Sequence, residues 1–241
     1  MSAPGPDTVP AVPSSPRSAR GEQTRAAIVT AALELFRERG YEGTTMRAVA
    51  DAAGVSLGNA YYYVPSKEHL ILAFYDRLQE EHAATAAGIL ARETGFAQRL
   101  AGVEEAFVDI AEPYHEFAGA FFRHAAEPTS PLSPFSPESG PARAASAAIY
   151  REVVAGSGIR APEGVLAVLP DLLWLAHMGT VLFWVHDASP GRTRTRTLVR
   201  RAAPLVEKLV RATRIPGLRG IADDVVGLVR SLAPEAQERP R

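Results

Sequence analysis

Apolar positions recur every three or four residues along most of the chain, which is the spacing of one face of an α-helix. No segment shows the sustained two-residue alternation of β-branched side chains that is typical of strands. The pattern is clearest over residues 23–39, where the apolar stripe comprises Ile28, Ala31, Ala32, Leu35 and Phe36. The chain is therefore predicted to be all-α.

Glycine and proline mark the ends of the first predicted helices. The second helix begins at residue 44 or 45, with a threonine as its N-cap, and Gly54 ends it. A short third helix over 56–64 follows a tight turn. Pro65 then interrupts the chain, and a longer fourth helix starts after Ser66. Two short helices joined by a glycine-containing turn predict a helix-turn-helix.

Longer apolar helices follow. They are predicted at 97–126 (with a kink at Pro113), 142–155, 163–187, 192–212 and 218–232. Prolines stand every third residue between the first two of these helices, at Pro128, Pro131, Pro134 and Pro137. This spacing matches the three residues per turn of polyproline II and predicts a stiff extended connection. A cap over a pocket entrance is the alternative.

Composition excludes several classes of protein. The chain has 241 residues, 46% of them hydrophobic, which is enough for a sizeable core. It has no cysteine, which rules out a disulfide scaffold, a thiolate zinc site and a cysteine nucleophile. The formal net charge of −1 argues against a polybasic coat protein. Residues 1–20 and 233–241 are rich in proline and small or polar residues and are predicted to be disordered tails.

Two segments bear on where the protein acts. The first twenty residues contain no apolar region that a secretory signal would need. The most apolar run, 172–185, is shorter than the roughly 20 residues of a bilayer span and is interpreted as a buried core helix. We therefore expect a cytoplasmic protein without a membrane partner.

The third predicted helix divides into an inner and an outer face. Ala60 and Val64 lie one turn apart and suit packing on the preceding helix. In a helix-turn-helix the opposite face enters the major groove, where amides reach base edges and hydroxyls reach phosphates. The residues left for that face are Leu57, Gly58, Asn59, Tyr61 and Tyr62.

The segment GYEGTTMRAVADAAGVSLGNAYYYVPSKEHLILAFY (40–75) resembles the DNA-binding domain of the TetR family of bacterial repressors. The similarity lies in Gly-Tyr-x-Gly-Thr-Thr, Ala-Gly-Val-Ser, the tyrosine run and Ser-Lys-Glu-x-Leu, and it extends over about 21–81. Ala60 and Val64 depart from it, since larger side chains are usual there. The resemblance implies DNA contacts by Thr45, Arg47, Leu57, Gly58, Asn59, Tyr61 and Tyr62, with Lys67 on phosphate.

The charge of this segment limits how it could bind DNA. Residues 21–81 contain six Lys or Arg and nine Asp or Glu. Phosphate neutralisation supplies much of DNA affinity, so the basic residues must cluster on one face. Arg47 and Lys67 flank the reading helix and meet that requirement.

The resemblance also implies a ligand pocket and a dimer interface in the remaining helices. Apolar walls suit a small, mostly hydrophobic effector, and His115, His124 and His177 are candidate polar handles. A packed core is the alternative for the same apolar residues. The candidate pocket residues are Phe107, Tyr114, Phe117, Phe121, Trp174, His177 and Met178.

A homodimer on the last long helices would match a palindromic DNA operator. An arginine cluster near the start of the predicted 192–212 helix would then lie far from DNA. We interpret it as a solvated face or interface rim. It comprises Arg192, Arg194, Arg196, Arg200 and Arg201.

The sequence thus predicts a helix-turn-helix domain over 21–81 and a helical effector-binding and dimerisation domain over 82–232. Together they would form a ligand-responsive regulator, most simply a repressor, that needs no cofactor. The alternative is a helical ligand-binding or metal-binding protein without DNA-reading activity. A di-metal enzyme needs two Glu-x-x-His pairs, and Glu112 to His115 is the one instance in the sequence.

Overall fold

The computed structural model describes residues 19–127 and 129–232, and these are helical with no strand. The all-α prediction is confirmed. Both predicted tails lie outside the described residues, except that Ala19 and Arg20 are helical. The helices are α1 (Ala19–Arg39), α2 (Met46–Ala52), α3 (Leu57–Tyr63), α4 (Lys67–Leu90), α5 (Phe96–Ala111), α6 (His115–Ala125), α7 (Gly140–Ala155), α8 (Glu163–Val185), α9 (Thr193–Ala212) and α10 (Arg219–Leu232).

Local chemistry accounts for the ends of α2 and α3. The hydroxyl oxygen of Thr45 accepts a hydrogen bond from the amide of Ala48, and that of Ser56 accepts one from Asn59. Each cap satisfies an amide that has no partner inside the helix. Gly54 joins the two helices with φ at +67°, a left-handed conformation that favours glycine. The turn therefore fixes α3 across α2 as a helix-turn-helix.

One core joins the first four helices to the body of the protein. Ile28 and Phe36 of α1 pack with Leu70 of α4, and this cluster continues into α5 and α6. The Phe121 ring of α6 lies edge-on to Phe36 at 5.6 Å and to Tyr41 at 5.7 Å between ring centres. The N-terminal unit is thus attached to the body through α6 as well as through α4.

The predicted helix over 97–126 is two helices, because Pro113 lies in a short 3-10 turn at Glu112–Tyr114. A proline inside a helix removes a hydrogen bond and clashes with the preceding turn. The interruption reorients α6 relative to α5.

The proline-rich segment is not extended, so the polyproline II prediction is wrong. The amides of Ser130, Ser133 and Ser136 each donate to the carbonyl three residues earlier, at 3.0, 3.1 and 2.9 Å. Polyproline II has no internal hydrogen bonds. The serines favour turns over an extended chain, because each serine amide closes a turn. A serine hydroxyl can also accept a hydrogen bond from an amide further along the chain, as Ser130 Oγ does from Leu132 N at 3.2 Å.

Helix α8 is, by length and composition alone, long and apolar enough to cross a membrane. It was predicted to be a buried core helix, and this is true of one face only. Leu173, Trp174 and Trp184 are buried, whereas Leu175 and Leu182 are more than two-fifths exposed. Helix α8 therefore presents an apolar face outward.

Helix α4 passes through residues 81 and 82 without a break. The proposed division of the chain at that point falls inside a helix and stays a prediction. The same helix carries residues of the N-terminal unit at one end and of the body at the other.

Candidate nucleic-acid interface and ligand cavity

The outer face of α3 carries uncovered aromatic side chains. Tyr62 is 79% exposed and Tyr61 is 47% exposed, while Ala60 on the opposite face is fully buried. Gly58 and Asn59 are exposed beside the tyrosines. Large apolar rings in water are unfavourable for an isolated domain and commonly mark a binding surface. The inner and outer faces follow the predicted division.

Leu57 differs from the other predicted DNA contacts of α3. It is half-buried and packs against the core of the N-terminal unit. Part of this side chain therefore anchors α3 to α1 and α2. Only its exposed part is available to a ligand.

Thr45 and Arg47 are exposed at the N-terminus of α2. The Thr45 hydroxyl already accepts the capping hydrogen bond from Ala48 at 3.2 Å, but its proton can still be donated outward. Both residues lie within one turn of free helix amides, where an anion such as a phosphate is favoured.

Lys67, the predicted phosphate contact, has intramolecular partners. Its Nζ donates to the carbonyl oxygens of Tyr41 at 2.7 Å and Thr44 at 3.1 Å, and lies 4.0 Å from the centre of the Tyr41 ring. The lysine thereby ties the start of α4 to the loop before α2. An ammonium group has three donors, so one remains for a phosphate.

A cavity of about 450 Å³ lies between α4, α7, α8 and the proline-rich segment. This volume is within the range of small-molecule sites. Its walls are mainly apolar, and the polar residues that line it are Gln79, Ser133, Ser139, Arg143, Ser146 and His177. The apolar wall includes Tyr75, Leu78, Phe107, Leu132, Pro134, Phe135, Trp174 and Met178.

The predicted pocket residues divide between two spaces. Phe107, Trp174, His177 and Met178 line the large cavity. Tyr114, Phe117 and Phe121 line a neighbouring space of about 80 Å³, which Phe107 also borders. All three pack around Phe74 and so strengthen the junction between α4 and α6.

The three candidate polar handles also separate. His177 lines the large cavity, and its Nδ1 lies 3.1 Å from Oε2 of buried Glu104. His115 is bonded to the carbonyl oxygen of Trp184 at 2.8 Å, and His124 contacts Glu42 at 3.0 Å. Only His177 of these three is placed to meet a ligand in the cavity.

A buried polar network lies behind His177. The Tyr150 hydroxyl donates to Oε1 of Glu104 at 2.6 Å. Burial alone would raise the pKa of the Glu104 carboxyl, but His177 and the hydrogen bond from Tyr150 hold it below the usual value. Burial followed by the Glu104 charge raises the pKa of Tyr150 well above its usual value. This network fixes His177 in one orientation.

His82 of α4 lies beside this network and is fully buried. Its Nε2 is 2.9 Å from the carbonyl oxygen of Val103, and its ring stacks on His177 at 6.1 Å. Nδ1 has no hydrogen-bond partner. Burial, and next the nearby His177, lowers the pKa of His82 to about 4. The imidazole is therefore neutral at physiological pH.

Comparisons with known proteins agree with this arrangement. Residues 28–74 match the family of bacterial regulatory proteins called tetR, and residues 99–228 match the tetracyclin repressor-like C-terminal domain. The second match alone spans more than half of the chain. The chain belongs to the TetR family of transcriptional regulators.

Individual relatives are similar to this chain over shorter segments. The chain is 33% identical over 94 residues to the HTH-type transcriptional regulator CymR of Pseudomonas putida. The match covers 37% of this chain and 46% of CymR, so the similarity spans less than half of that relative.

Solved structures cover more of the chain. A TetR transcriptional regulator from Nitrosomonas europaea superposes with a TM-score of 0.58 at 20% identity, over 76% of this chain and 97% of that one. FadR from Bacillus subtilis, solved with stearoyl-CoA, superposes with a TM-score of 0.56 at 16% identity, over 74% and 96%. At these identities the structures support the fold alone.

In this TetR-family chain three arginines of the cluster pair with acidic residues of α5 and of the 3-10 turn that follows it. Arg196 contacts Asp109 at 2.6 Å, Arg200 contacts Glu105, and Arg192 lies 3.5 Å from Glu112. These pairs hold the start of α9 along α5. They support the interpretation of a solvated face rather than a nucleic-acid patch.

The metal-site alternative has little support in the described ranges. Within residues 19–127 and 129–232, no group of three or more metal-binding side chains lies together. Glu112 lies near Arg192, and His115 is bonded to Trp184. The single Glu-x-x-His pair is thus engaged in structural contacts.

Several cavity residues of this TetR-family chain were missed from sequence. The proline-rich segment contributes Leu132, Pro134 and Phe135, although we interpreted it as a connection. Arg143 and Ser146 lie three residues apart on an otherwise alanine-rich helix. That spacing places both side chains on one face of the helix, and it was the signal in the sequence from which they could have been predicted to share a site.

Proposed function

We propose that this chain is a dimeric repressor that binds a palindromic operator through α3 and is released from it by a small, mostly hydrophobic effector. The exposure of Tyr62, with buried Ala60 on the opposite side of α3, is the observation that carries the DNA-binding part. Asn59 and Tyr62 would contact bases, and Thr45, Tyr61 and Lys67 would contact the backbone. Such a regulator acts in the cytoplasm, where its DNA lies.

The response to an effector is supported by the course of α4. Tyr75, Leu78 and Gln79 of α4 line the large cavity, and Lys67 of the same helix is bonded to the loop that precedes α2. A ligand that prefers one position of α4 would shift the population of reading-helix orientations. Release of DNA then follows from the difference in ligand affinity between the two states.

A dimer is supported by an uncovered apolar surface, which we call the α8–α9 face. It comprises Leu175, Leu182, Phe183, Leu198, Leu205 and Leu209, all at least 36% exposed. Arg194 and Arg201 border a groove in this face. An apolar centre with an arginine rim is typical of interfaces between protein subunits. A two-fold pair of copies would set a fixed spacing between two α3 helices.

The direct test is selection of genomic DNA fragments by the purified full chain at near-physiological salt, followed by footprinting. We expect a palindrome that is protected on both half-sites. Tyr62→Ala should weaken binding to that site at least tenfold, because the ring supplies contact area that alanine lacks. Tyr62→Phe keeps the ring and removes the hydroxyl, so it distinguishes the contribution of the ring to DNA binding from that of the hydroxyl. Loss of less than twofold on Tyr62→Ala would contradict the proposed role of α3, and protection of one half-site would contradict the dimer.

Gly58→Ala should stabilise the protein and weaken DNA binding at the same time. A Cβ at Gly58 meets no atom within 4 Å, so alanine fits the free protein. Its higher helix propensity is worth about 1 kcal/mol, or a rise of roughly 2–4 °C in melting temperature. On the DNA-facing side the added methyl group would hold the backbone away from the duplex.

Thermal melting and operator titration measure the two effects. Gly227→Ala is the matched control, because it also adds an unobstructed methyl group to a helix, on α10. Gly227→Ala should leave operator affinity unchanged. Undiminished affinity in Gly58→Ala would place Gly58 outside the interface.

A further inference from the structure

Among the residues that the structure describes, the wall of the large cavity contains one arginine without an ion-pair partner and, on the same helix, one hydroxyl group without a hydrogen-bond partner. Arg143 lines the cavity with Ser146, one turn further along α7. The Arg143 guanidinium donates from Nη1 to the carbonyl oxygen of Pro134 at 2.8 Å. Within the described residues it makes no ion pair, and no Asp or Glu lines the cavity.

Ser146 is 2% exposed, and its Oγ has no hydrogen-bond partner. A buried hydroxyl without a partner is costly in a folded protein. Since the side chain lines the cavity, a ligand is the partner that the geometry leaves for it. The hydroxyl can donate to the same oxygen-bearing group that the guanidinium would bind.

The rest of the cavity restricts the shape of the ligand. Trp174, Phe107 and Phe135 supply aromatic walls, and the Phe135 ring meets Trp174 edge-on at 5.7 Å. Such walls suit a ring, which packs against aromatic faces and edges. A volume of about 450 Å³ equals that of roughly 15 water molecules in the liquid, which suits a compact ligand.

We propose that the effector of this regulator is a small carboxylic acid with a ring-containing apolar body, held by Arg143 and Ser146. A guanidinium binds a carboxylate with two parallel hydrogen bonds, which are stronger than those to a neutral group. Among the described residues that line the cavity, Arg143 is the charged group without a carboxylate partner, because Nδ1 of His177 already lies against Glu104. This inference rests on the proposed function, since it assigns the chemistry of the same effector site.

The experiment compares acids with amides of the same shape. The probes are benzoate, 2-naphthoate and biphenyl-4-carboxylate, each paired with its primary amide and titrated into the full chain by calorimetry. At least one acid should bind, and at least tenfold more tightly than its amide. Equal affinities, or no binding by any of the three acids at millimolar concentration, would overturn the proposal.

Variants of α7 test whether Arg143 causes the preference for the acid over its amide. Arg143→Gln should abolish the difference between acid and amide, whereas Arg143→Lys should keep a reduced one. Arg151→Gln is the matched control, because it removes the same charge from an exposed position of α7 that does not line the cavity. If Arg143→Gln merely loosened the proline-rich wall, acid and amide would weaken equally, and the preference would persist. That result would also overturn the proposal.

The operator separates this inference from the proposed function. Wild-type protein and Arg143→Gln should bind the selected palindrome equally well without ligand, and the preferred acid should release only the wild type. Failure to bind any DNA contradicts the proposed function. Intact DNA binding with no acid preference contradicts only the inference about the ligand.

Discussion

Replacing Arg99 by leucine is expected to lower the melting temperature by roughly 10 °C. Arg99 is 4% exposed and has no carboxylate partner among the described residues. Its guanidinium donates instead to four backbone carbonyl oxygens. These belong to Leu90 and Glu93 at 2.6 Å each, Glu152 at 2.6 Å and Val153 at 3.2 Å.

The four carbonyls lie where α4 and α7 end. Helix C-termini have carbonyls without partners and carry partial negative charge, so one buried cation satisfies both ends together. Leucine would leave three of these carbonyls buried without a donor, at a cost of about 1 kcal/mol each or more, and would take one of two donors from Glu152 O, which also accepts from the amide of Gly156 at 3.2 Å. We therefore expect a loss of about 4 kcal/mol in the free energy of unfolding.

Thermal melting followed by circular dichroism measures this loss. Arg92→Leu is the matched control, because Arg92 is exposed a few residues earlier in the chain. Gly156→Ala offers a second approach, since its Cβ would lie within 3.0 Å of the Arg99 guanidinium. If Arg99→Leu and Arg92→Leu melt within 2 °C of each other, the buried guanidinium does not hold the helix ends.

Stability is expected to fall as the pH drops from 7.5 to 5, and His82 is the main cause. An unfolded histidine titrates near 6.5, whereas burial lowers the pKa of folded His82 to about 4. Between these values the unfolded chain binds a proton that the folded protein does not. The free energy of unfolding therefore decreases as protons are added, by about 2 kcal/mol over this interval.

Other buried groups act at lower pH. The pKa of Glu104 lies below its usual value, and so does that of Asp187, which accepts hydrogen bonds from Ser189 and Thr195. Their stabilising contributions are complete above the pKa of the unfolded carboxyl and are lost only as the pH falls below about 4. These two carboxyls therefore contribute little to the change in stability between pH 7.5 and 5.

His82→Gln is the variant that tests this assignment. Its side-chain amide can still donate toward the Val103 carbonyl but does not titrate. Chemical unfolding at pH 7.5, 6 and 5 should give a flatter pH profile for His82→Gln than for the wild type. The control His186→Gln removes an exposed histidine and should keep the wild-type slope. An unchanged slope in His82→Gln would contradict the role of His82.

The exposed face of α3 was predictable because its determinants are local. Ser56 caps the helix, Gly54 sets the turn, and Ala60 with Val64 defines the inner face. These features lie within eleven residues of each other. The same reasoning placed the all-α fold, since helical periodicity needs no knowledge of distant contacts.

The cavity was predictable only in part, because it is a space between elements rather than a property of one. The periodicity placed Phe107, Tyr114, Phe117 and Phe121 on one stripe of a single helix. Pro113 interrupts that helix, so the last three pack around Phe74 instead of facing the large cavity. Arg143 and Ser146 can be recognised as cavity residues only once α7 is placed opposite α8.

The continuity of α4 has a mechanical consequence. At 1.5 Å per residue, Lys67 lies about 18 Å along the helix axis from Gln79 at the cavity. A stiff rod of that length converts a tilt of about 10° at one end into a displacement of about 3 Å at the other. This is close to the 3.4 Å separation of adjacent base pairs. Under the proposed function, a ligand that tilts the α4 wall of the cavity by this small angle would thus move the reading helix out of register with the grooves of DNA.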